Sequence, residues 1–259
     1  KRQKQINGAL IAAVVMAQQA GQPLITRVLE PMSGSGFYGN FVRAAGFRGE
    51  LRVNDISPLV SLTQAEIARQ PDRVKYHVNA IKQALVELWQ ADNADFAFDP
   101  HTLKIQFPNG DASREFVNSP RVKRFRDDVR HYFYSTVETQ YRLIDGNIVI
   151  APDSSFLADP VQGEAEARAY IAAAFYIMQN NCTRHRAPVQ INEMGRLDLP
   201  MAIVVRDGNT GTVLLLANGL SNLDGLNYLS YLNTGERGQT HFSRADGWEM
   251  LRVVGGESN

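Results

Sequence analysis

Apolar side chains recur at helical spacing from about Ile6 to Ala20, where Gly21-Gln22-Pro23 stops the pattern; a buried helix is expected there. Leu24 to Leu29 predicts a short buried strand, and glycines follow it at Gly34, Gly36 and Gly39. A second helix is expected through Phe41 to Ala45, ending at Gly46, and Glu50 to Val53 predicts a further strand that terminates in Asn54-Asp55. Strand, helix, strand is the resulting unit. Pro58 opens a long helical stretch that is expected to run on past Pro71 to Trp89, with Val78, Ile81, Leu85 and Leu88 on one face. Between Asp92 and Asp159 the character changes. Leu103 to Phe107 before Pro108-Asn109-Gly110-Asp111, and Tyr141 to Leu143 with Ile148 to Ile150 around Asp145-Gly146-Asn147, predict strands and hairpin turns. A strong helix is expected from Glu164 to about Asn180. Met201 to Val205 and Val213 to Ala217 flank Asp207-Gly208-Asn209 as another hairpin, and Leu223 to Leu232 returns to helical spacing.

Composition narrows the class. A chain of 259 residues that is 44% hydrophobic and 21% charged can bury one large core or two small ones, which excludes wholesale disorder. Lys+Arg and Asp+Glu both total 27, so any polyanion must be held by local clusters rather than by a protein-wide field. The single cysteine, Cys182, can form neither an internal disulfide nor a thiolate metal site alone, and no metal site is expected. The most apolar stretch, Ala9 to Ala17, is about half the length of a membrane span, so a soluble, cytoplasmic protein without a membrane partner is expected.

Candidate chemistry centres on Val28-Leu29-Glu30-Pro31-Met32-Ser33-Gly34-Ser35-Gly36. A strand, an acidic residue and close-spaced glycines at a strand-to-helix turn let a backbone approach a nucleotide-type ligand, and the following amides can bond its polar groups. Asp55 lies about 25 residues beyond Glu30, the offset at which a carboxylate grips ribose hydroxyls. No Gly-Lys-Ser/Thr follows, which excludes the phosphate loop, and Glu30 would repel a pyrophosphate. S-adenosylmethionine, cationic and free of phosphate, suits two carboxylates at strand ends.

Leu29-Glu30-Pro31-Met32-Ser33-Gly34-Ser35-Gly36-Phe37 and Asn54-Asp55-Ile56 resemble the first two cofactor motifs of the Dam-like adenine-specific DNA methyltransferases, whose turn typically reads Glu-Pro-Phe-x-Gly-x-Gly. Ala172 to Asn180 followed by Ile191-Asn192-Glu193-Met194-Gly195-Arg196-Leu197-Asp198-Leu199-Pro200 resembles that family's aromatic-rich helix and recognition loop. Thr240 to Leu251 is similar to the strand and loop that contact the cofactor's adenine. The chain departs from the pattern at Gln190, where the family prefers Arg, at Arg186-Ala187, in place of Asn-Gly, and at Asp198, in place of Asn.

The resemblance implies an α/β fold: a Rossmann-like methyltransferase sheet flanked by helices, carrying an inserted α+β recognition subdomain. Residues 1–91 would form the first part of the cofactor-binding core, 92–162 the insertion, 163–222 the DNA-recognition region with its hairpin, and 223–259 the return to the core. It implies S-adenosylmethionine contacts from Lys1, Glu30, Pro31, Met32, Ser33, Gly34, Gly36, Asp55, Ile56 and Asp246, with Glu30 near the sulfonium and ammonium. It implies contacts to double-stranded DNA from Arg184, Arg186, Gln190 and Asn192. Arg124, in the basic run Arg121 to Arg126, is a further candidate for phosphate contact, set against the simpler reading of a solvated helix face.

The catalytic tetrapeptide Asp-Pro-Pro-Tyr does not occur. Ala151-Pro152-Asp153-Ser154 echoes it but precedes the recognition loop and lacks the aromatic. The expectation is a piece of a longer polypeptide that stops short of the catalytic strand and is inactive alone. A methyltransferase-fold domain without catalysis, serving in DNA binding or assembly, is the second reading.

Overall fold

The computed structural model describes residues 12–13, 16, 20, 26–31, 39, 42–43, 46–95, 104–180, 203–207, 209–215 and 240–244. The protein mixes helices with small sheets, and its chain divides into two compact units, residues 1–71 with 224–259 and residues 72–223.

The first unit is built on a parallel sheet of β1 (Arg27–Glu30), β2 (Glu50–Asn54) and β8 (Thr240–Ser243), in the order β1-β2-β8. Parallel neighbours need a crossover. The one between β1 and β2 contains helical Gly39, Val42 and Arg43 and closes on Gly46 at φ +94°. There Gly46 N donates to the Arg43 carbonyl and Phe47 N to the Val42 carbonyl, both about one turn back, so the last helical carbonyls are satisfied in a Schellman motif. Leu51, Val53 and Ala68 form a buried cluster with Val28 and Phe242 against it, while Val42 and Phe47 also pack on Val28. The opposite side of the strands is charged. Arg27 and Arg52 both pair with Glu50 at 2.7 Å, and His241 lies 3.9 Å from it, in contrast to the two apolar faces of a fully covered parallel sheet.

Helix α1 (Pro58–Arg69) follows β2, and α2 (Pro71–Asn93) follows α1. The expected continuous helix is therefore broken at Gln70, whose φ of −144° and ψ of 62° are not helical. Pro71 explains the break: its ring displaces the preceding residue from the α region, and it has no N–H to bond backwards, so it starts a new helix. Of the helix expected at Ile6 to Ala20, Ala12, Ala13 and Met16 are described; they are helical but exposed rather than buried. Positions 12, 13 and 16 share one side of a helix, and that side meets solvent.

In the second unit β3 (Lys104–Gln106), β6 (Val204–Arg206) and β7 (Thr212–Leu215) form an antiparallel sheet in the order β3-β7-β6, and β4 (Tyr141–Ile144) pairs with β5 (Asn147–Ile150) as a separate hairpin. Asp145 and Gly146 make the predicted two-residue turn, both at positive φ (48° and 72°), which the right-handed twist of the ribbon requires. The segment Pro108 to Asp111 is not a hairpin turn. Asn109 caps α3 (Gly110–Val117), its side chain accepting from Asp111 N and Ala112 N at 3.1 and 2.9 Å, and this local bond selects helix over strand reversal. Helix α4 (Pro120–Tyr132) starts in the same manner, from Ser119 with Pro120 in the first turn, and α5 (Gly163–Asn180) follows the hairpin as predicted.

His77 on α2 is buried in this unit. Its Nε2 bonds Glu166 Oε2 at 2.7 Å, Arg73 pairs with the other Glu166 oxygen at 2.9 Å, and Tyr76, Phe156 and Tyr170 meet its ring edge to face. Burial holds its pKa below the ordinary 6.5, against the opposing effect of the Glu166 hydrogen bond. The unfolded chain thus binds the proton more readily, so stability from neutral His77 is complete above 6.5 and is lost as pH falls through the lower folded-state value. Urea midpoints should fall between about pH 7 and about pH 5, and His77→Gln should flatten that fall. An unchanged pH profile in the variant would assign the effect to another group.

Candidate functional site

The carboxyl ends of parallel strands are where α/β sheets present ligand-binding residues, and the three described strands of the first unit all end at polar side chains. Glu30 closes β1 and is 5% exposed; Asn54 closes β2 and is fully buried; Ser243 closes β8. Pro31, Asp55 and Ile56 come directly after their strands.

Hydrogen bonds tie these ends together. Asn54 Nδ2 donates to the Pro31 carbonyl at 2.8 Å, while Ser243 Oγ donates to Asn54 Oδ1 at 2.9 Å. Ser61, one turn into α1, donates to the Asp55 carbonyl at 2.9 Å and lies 3.3 Å from the Ser243 carbonyl. Asp55 N in turn donates to the Ser243 carbonyl at 3.3 Å. The Asp55 carboxylate accepts from Ser57 N at 2.9 Å, which fixes it beside the start of α1. Next to it Ile56 is 65% exposed, an apolar surface adjoining a carboxylate.

Glu30 Oε2 accepts from Gly39 N at 2.8 Å, across the glycine-rich segment. The resemblance implies a place for this carboxylate near the sulfonium and ammonium; the structure gives it a backbone partner, Gly39 N. Further back, the buried Arg43 guanidinium donates to the Phe47 and Gly49 carbonyls at 3.0 and 2.9 Å and to Thr240 Oγ1 at 3.2 Å, and it lies over the Phe47 ring. Burial, reinforced by Arg48, lowers its pKa to about 10, so it is charged at neutral pH and braces the start of β8 to the segment before β2.

No family model matches the chain, and no match was found among curated proteins or solved structures. The site's own chemistry therefore carries the functional argument. The strand ends carry two carboxylates, Glu30 and Asp55, on adjacent parallel strands, exposed Ile56 beside Asp55, and Arg244 directly after β8.

Of the sequence-predicted cofactor residues, the fold brings Glu30, Pro31, Asp55 and Ile56 to one end of the sheet. Lys1, Met32, Ser33, Gly34, Gly36 and Asp246 lie outside the described residues, as do Arg184, Arg186, Gln190 and Asn192. Arg124 is exposed on α4 in the second unit, beside exposed Lys123, whereas Arg121 is engaged with both carboxylate oxygens of Asp95 at 2.9 and 3.1 Å. Asp153 is exposed in the turn after β5 and bonded by Arg142 of β4 at 2.9 and 3.2 Å, a surface ion pair and not an enclosed catalytic group. Among the described residues no group of three or more His, Cys, Asp and Glu is placed to hold a metal ion, and no helix is long and apolar enough to cross a membrane.

Sequence reasoning missed Asn54, Ser61, Ser243 and Arg43. Asn54 and Ser243 lie inside the cofactor-like segments, so the motif contained them without revealing their role. Ser61 and Arg43 carry no signal in the sequence; only the fold shows what they bond.

Proposed function

We propose that the chain is an S-adenosylmethionine-binding DNA methyltransferase domain directed at the exocyclic amine of adenine, its first unit a Rossmann-like cofactor core. The observation that carries this reading is the pairing of Glu30 and Asp55, with Ile56, at the carboxyl ends of adjacent parallel strands. Asp55 would accept from the ribose hydroxyls, Ile56 would lie against the base, and the turn between Pro31 and Gly39 would approach the methionine end. The cofactor supplies the electrophilic methyl group; these residues bind and orient it. No residue of the chain is assigned to orienting the amine.

Calorimetry with S-adenosylmethionine, followed by transfer of labelled methyl to unmethylated duplex DNA, tests the proposal. Absence of binding at millimolar cofactor overturns it. Binding without transfer is the outcome expected of a chain to which no amine-orienting residue is assigned, and transfer by the chain itself excludes the second reading, a DNA-binding or assembly module that keeps the fold.

The DNA contact rests on α4. Val122, Phe125 and Val129 are buried on one side of this helix, which leaves Lys123 and Arg124 exposed on the other. Each phosphate contact contributes a salt slope of about 0.9, so Lys123→Gln with Arg124→Gln should flatten the dependence of log K on log salt by about two. An unchanged slope would remove α4 from the interface and leave the basic residues Arg184 and Arg186 as candidates.

A further inference from the structure

We infer that β5 is an association edge whose occupant is a second copy of this chain, paired antiparallel about Val149; the inference is independent of the cofactor reading. The hairpin of β4 and β5 joins no other described strand, so each of its outer sides is a sheet edge. Its two-residue turn makes Ile144 and Asn147 a hydrogen-bonded pair, and Ala151 N, which donates to the Gln140 carbonyl at 2.9 Å, keeps the same alternation at the far end. Ile148 and Ile150 therefore hold the positions whose N–H and C=O point away from β4. Among the described residues none bonds these groups.

The two edges differ. On β4 the Arg142 guanidinium donates to the Tyr141 carbonyl at 3.0 Å and is held by Asp153 at 2.9 Å, so a charged side chain stands where a strand would enter. From Asn147 to Ala151 there is no charge. Val149 is 41% exposed, on the same face as Ile144 at 51%. Proteins ordinarily guard such an uncharged, β-branched edge with lysine, proline or a bulge; left open, it takes a further strand.

A second copy suits this edge because the strand is complementary to itself. With the two-fold at Val149, Ile148 lies opposite Ile150 of the second copy at both ends, and every outward N–H and C=O of the two residues is used. A two-fold at Ile148 would need Gly146, which is in the turn at φ 72°, and one at Ile150 would need Pro152, which has no N–H. The facing side chains are apolar. The nearest charges, Asp145 and Asp153, lie in turns outside the strand, and Asp153 is already paired with Arg142. Because Arg142 covers the β4 edge, the assembly ends at four strands and closes as a dimer.

Sedimentation equilibrium of the full chain should show passage from monomer to dimer between about 1 and 100 μM. Val149→Glu places a carboxylate opposite Arg142 within the hairpin, which the fold tolerates, but sets two carboxylates against each other at the two-fold, so the dimer Kd should rise at least about tenfold. With concentration the Ile148 and Ile150 amides should gain protection from hydrogen exchange, and the Leu143 amide on the β4 edge should not. Cross-linking in a Cys182→Ser background checks the register. Val149→Cys would face its copy across a non-hydrogen-bonded pair, about 4.5 Å between Cα atoms and within disulfide reach, so mild oxidation should give a covalent dimer. Ile144→Cys, more exposed but on β4, should stay monomeric. If Val149→Glu fails to fold by circular dichroism, the cross-link decides. A natural chain that remains monomeric at about 100 μM overturns the proposal and leaves the edge to a strand of another protein. A dimer that ignores Val149→Glu, or that cross-links at 144 and not at 149, overturns it as well.

Discussion

Asp55→Ala is expected to weaken S-adenosylmethionine binding at least tenfold while leaving the first unit folded. A hydrogen bond to a charged group contributes about 1.5 to 3 kcal/mol, which corresponds to about ten- to more than a hundredfold in Kd. The carboxylate is half-buried beside α1, with one oxygen already oriented by Ser57 N. Little further ordering is therefore needed when it meets a ribose. Truncation leaves the local fold in place because the tie to the sheet runs through the backbone: Ser61 Oγ bonds the Asp55 carbonyl, and Asp55 N bonds the Ser243 carbonyl. Asp55→Asn, which retains an acceptor but no charge, should fall between the natural chain and the Ala variant. Calorimetry with a parallel thermal melt checks the prediction. Unchanged affinity in Asp55→Ala would remove the carboxylate from the site, and a collapsed melting transition would make it a structural residue instead.

What was legible in the sequence followed from local physics. Strand-ending apolar runs located β1 and β2, and Asp145-Gly146 specified its hairpin because few dipeptides tolerate two consecutive positive φ angles. The long helix α5 was legible from its apolar spacing. Where two local signals competed, the reading went astray. Pro71 sits within an otherwise continuous helical pattern, and only the conformation of Gln70 shows that it ends one helix and begins the next. Asn109-Gly110 suits a hairpin turn as well as a helix start; the Asn109 cap starts a helix, and Phe116 on that helix packs 4.7 Å from the ring of Phe107, just after β3.

At the site the limit was distance along the chain. Glu30 and Asp55 were accessible because both belong to a recurring strand-end pattern. The bond from Ser243 to Asn54 joins residues 189 positions apart, and that from Arg43 to Thr240 spans 197, so neither leaves any periodicity to read. The polar groups that hold the site in shape are legible only once the strands are paired.

Trp89→Ala is expected to cost the second unit about 3 to 5 kcal/mol, the range for emptying a large aromatic site in a packed core. Trp89 is 1% exposed on α2, with Phe125 of α4 at 5.1 Å and Phe116 of α3 at 6.0 Å, both edge to face. Three helices thus converge on one indole, and the aromatic contacts add to the area it buries. Removing it leaves a cavity that the rings of Phe116 and Phe125 cannot fill without tilting α3 and α4. The surface bond from Arg121 to Asp95 is too exposed to hold α4 in register by itself. A loss of this size approaches half the stability of an ordinary domain, so the urea midpoint followed by far-UV circular dichroism should drop well beyond error. Trp89→Phe, which preserves most of the contact surface, should cost less than half as much. On the proposed DNA contact through α4, the Ala variant should also lose DNA affinity, because Phe125 neighbours Arg124, and to a smaller degree at high salt, where phosphate contacts would be weakened. A stability loss below about 1 kcal/mol would show that the three helices are held together elsewhere.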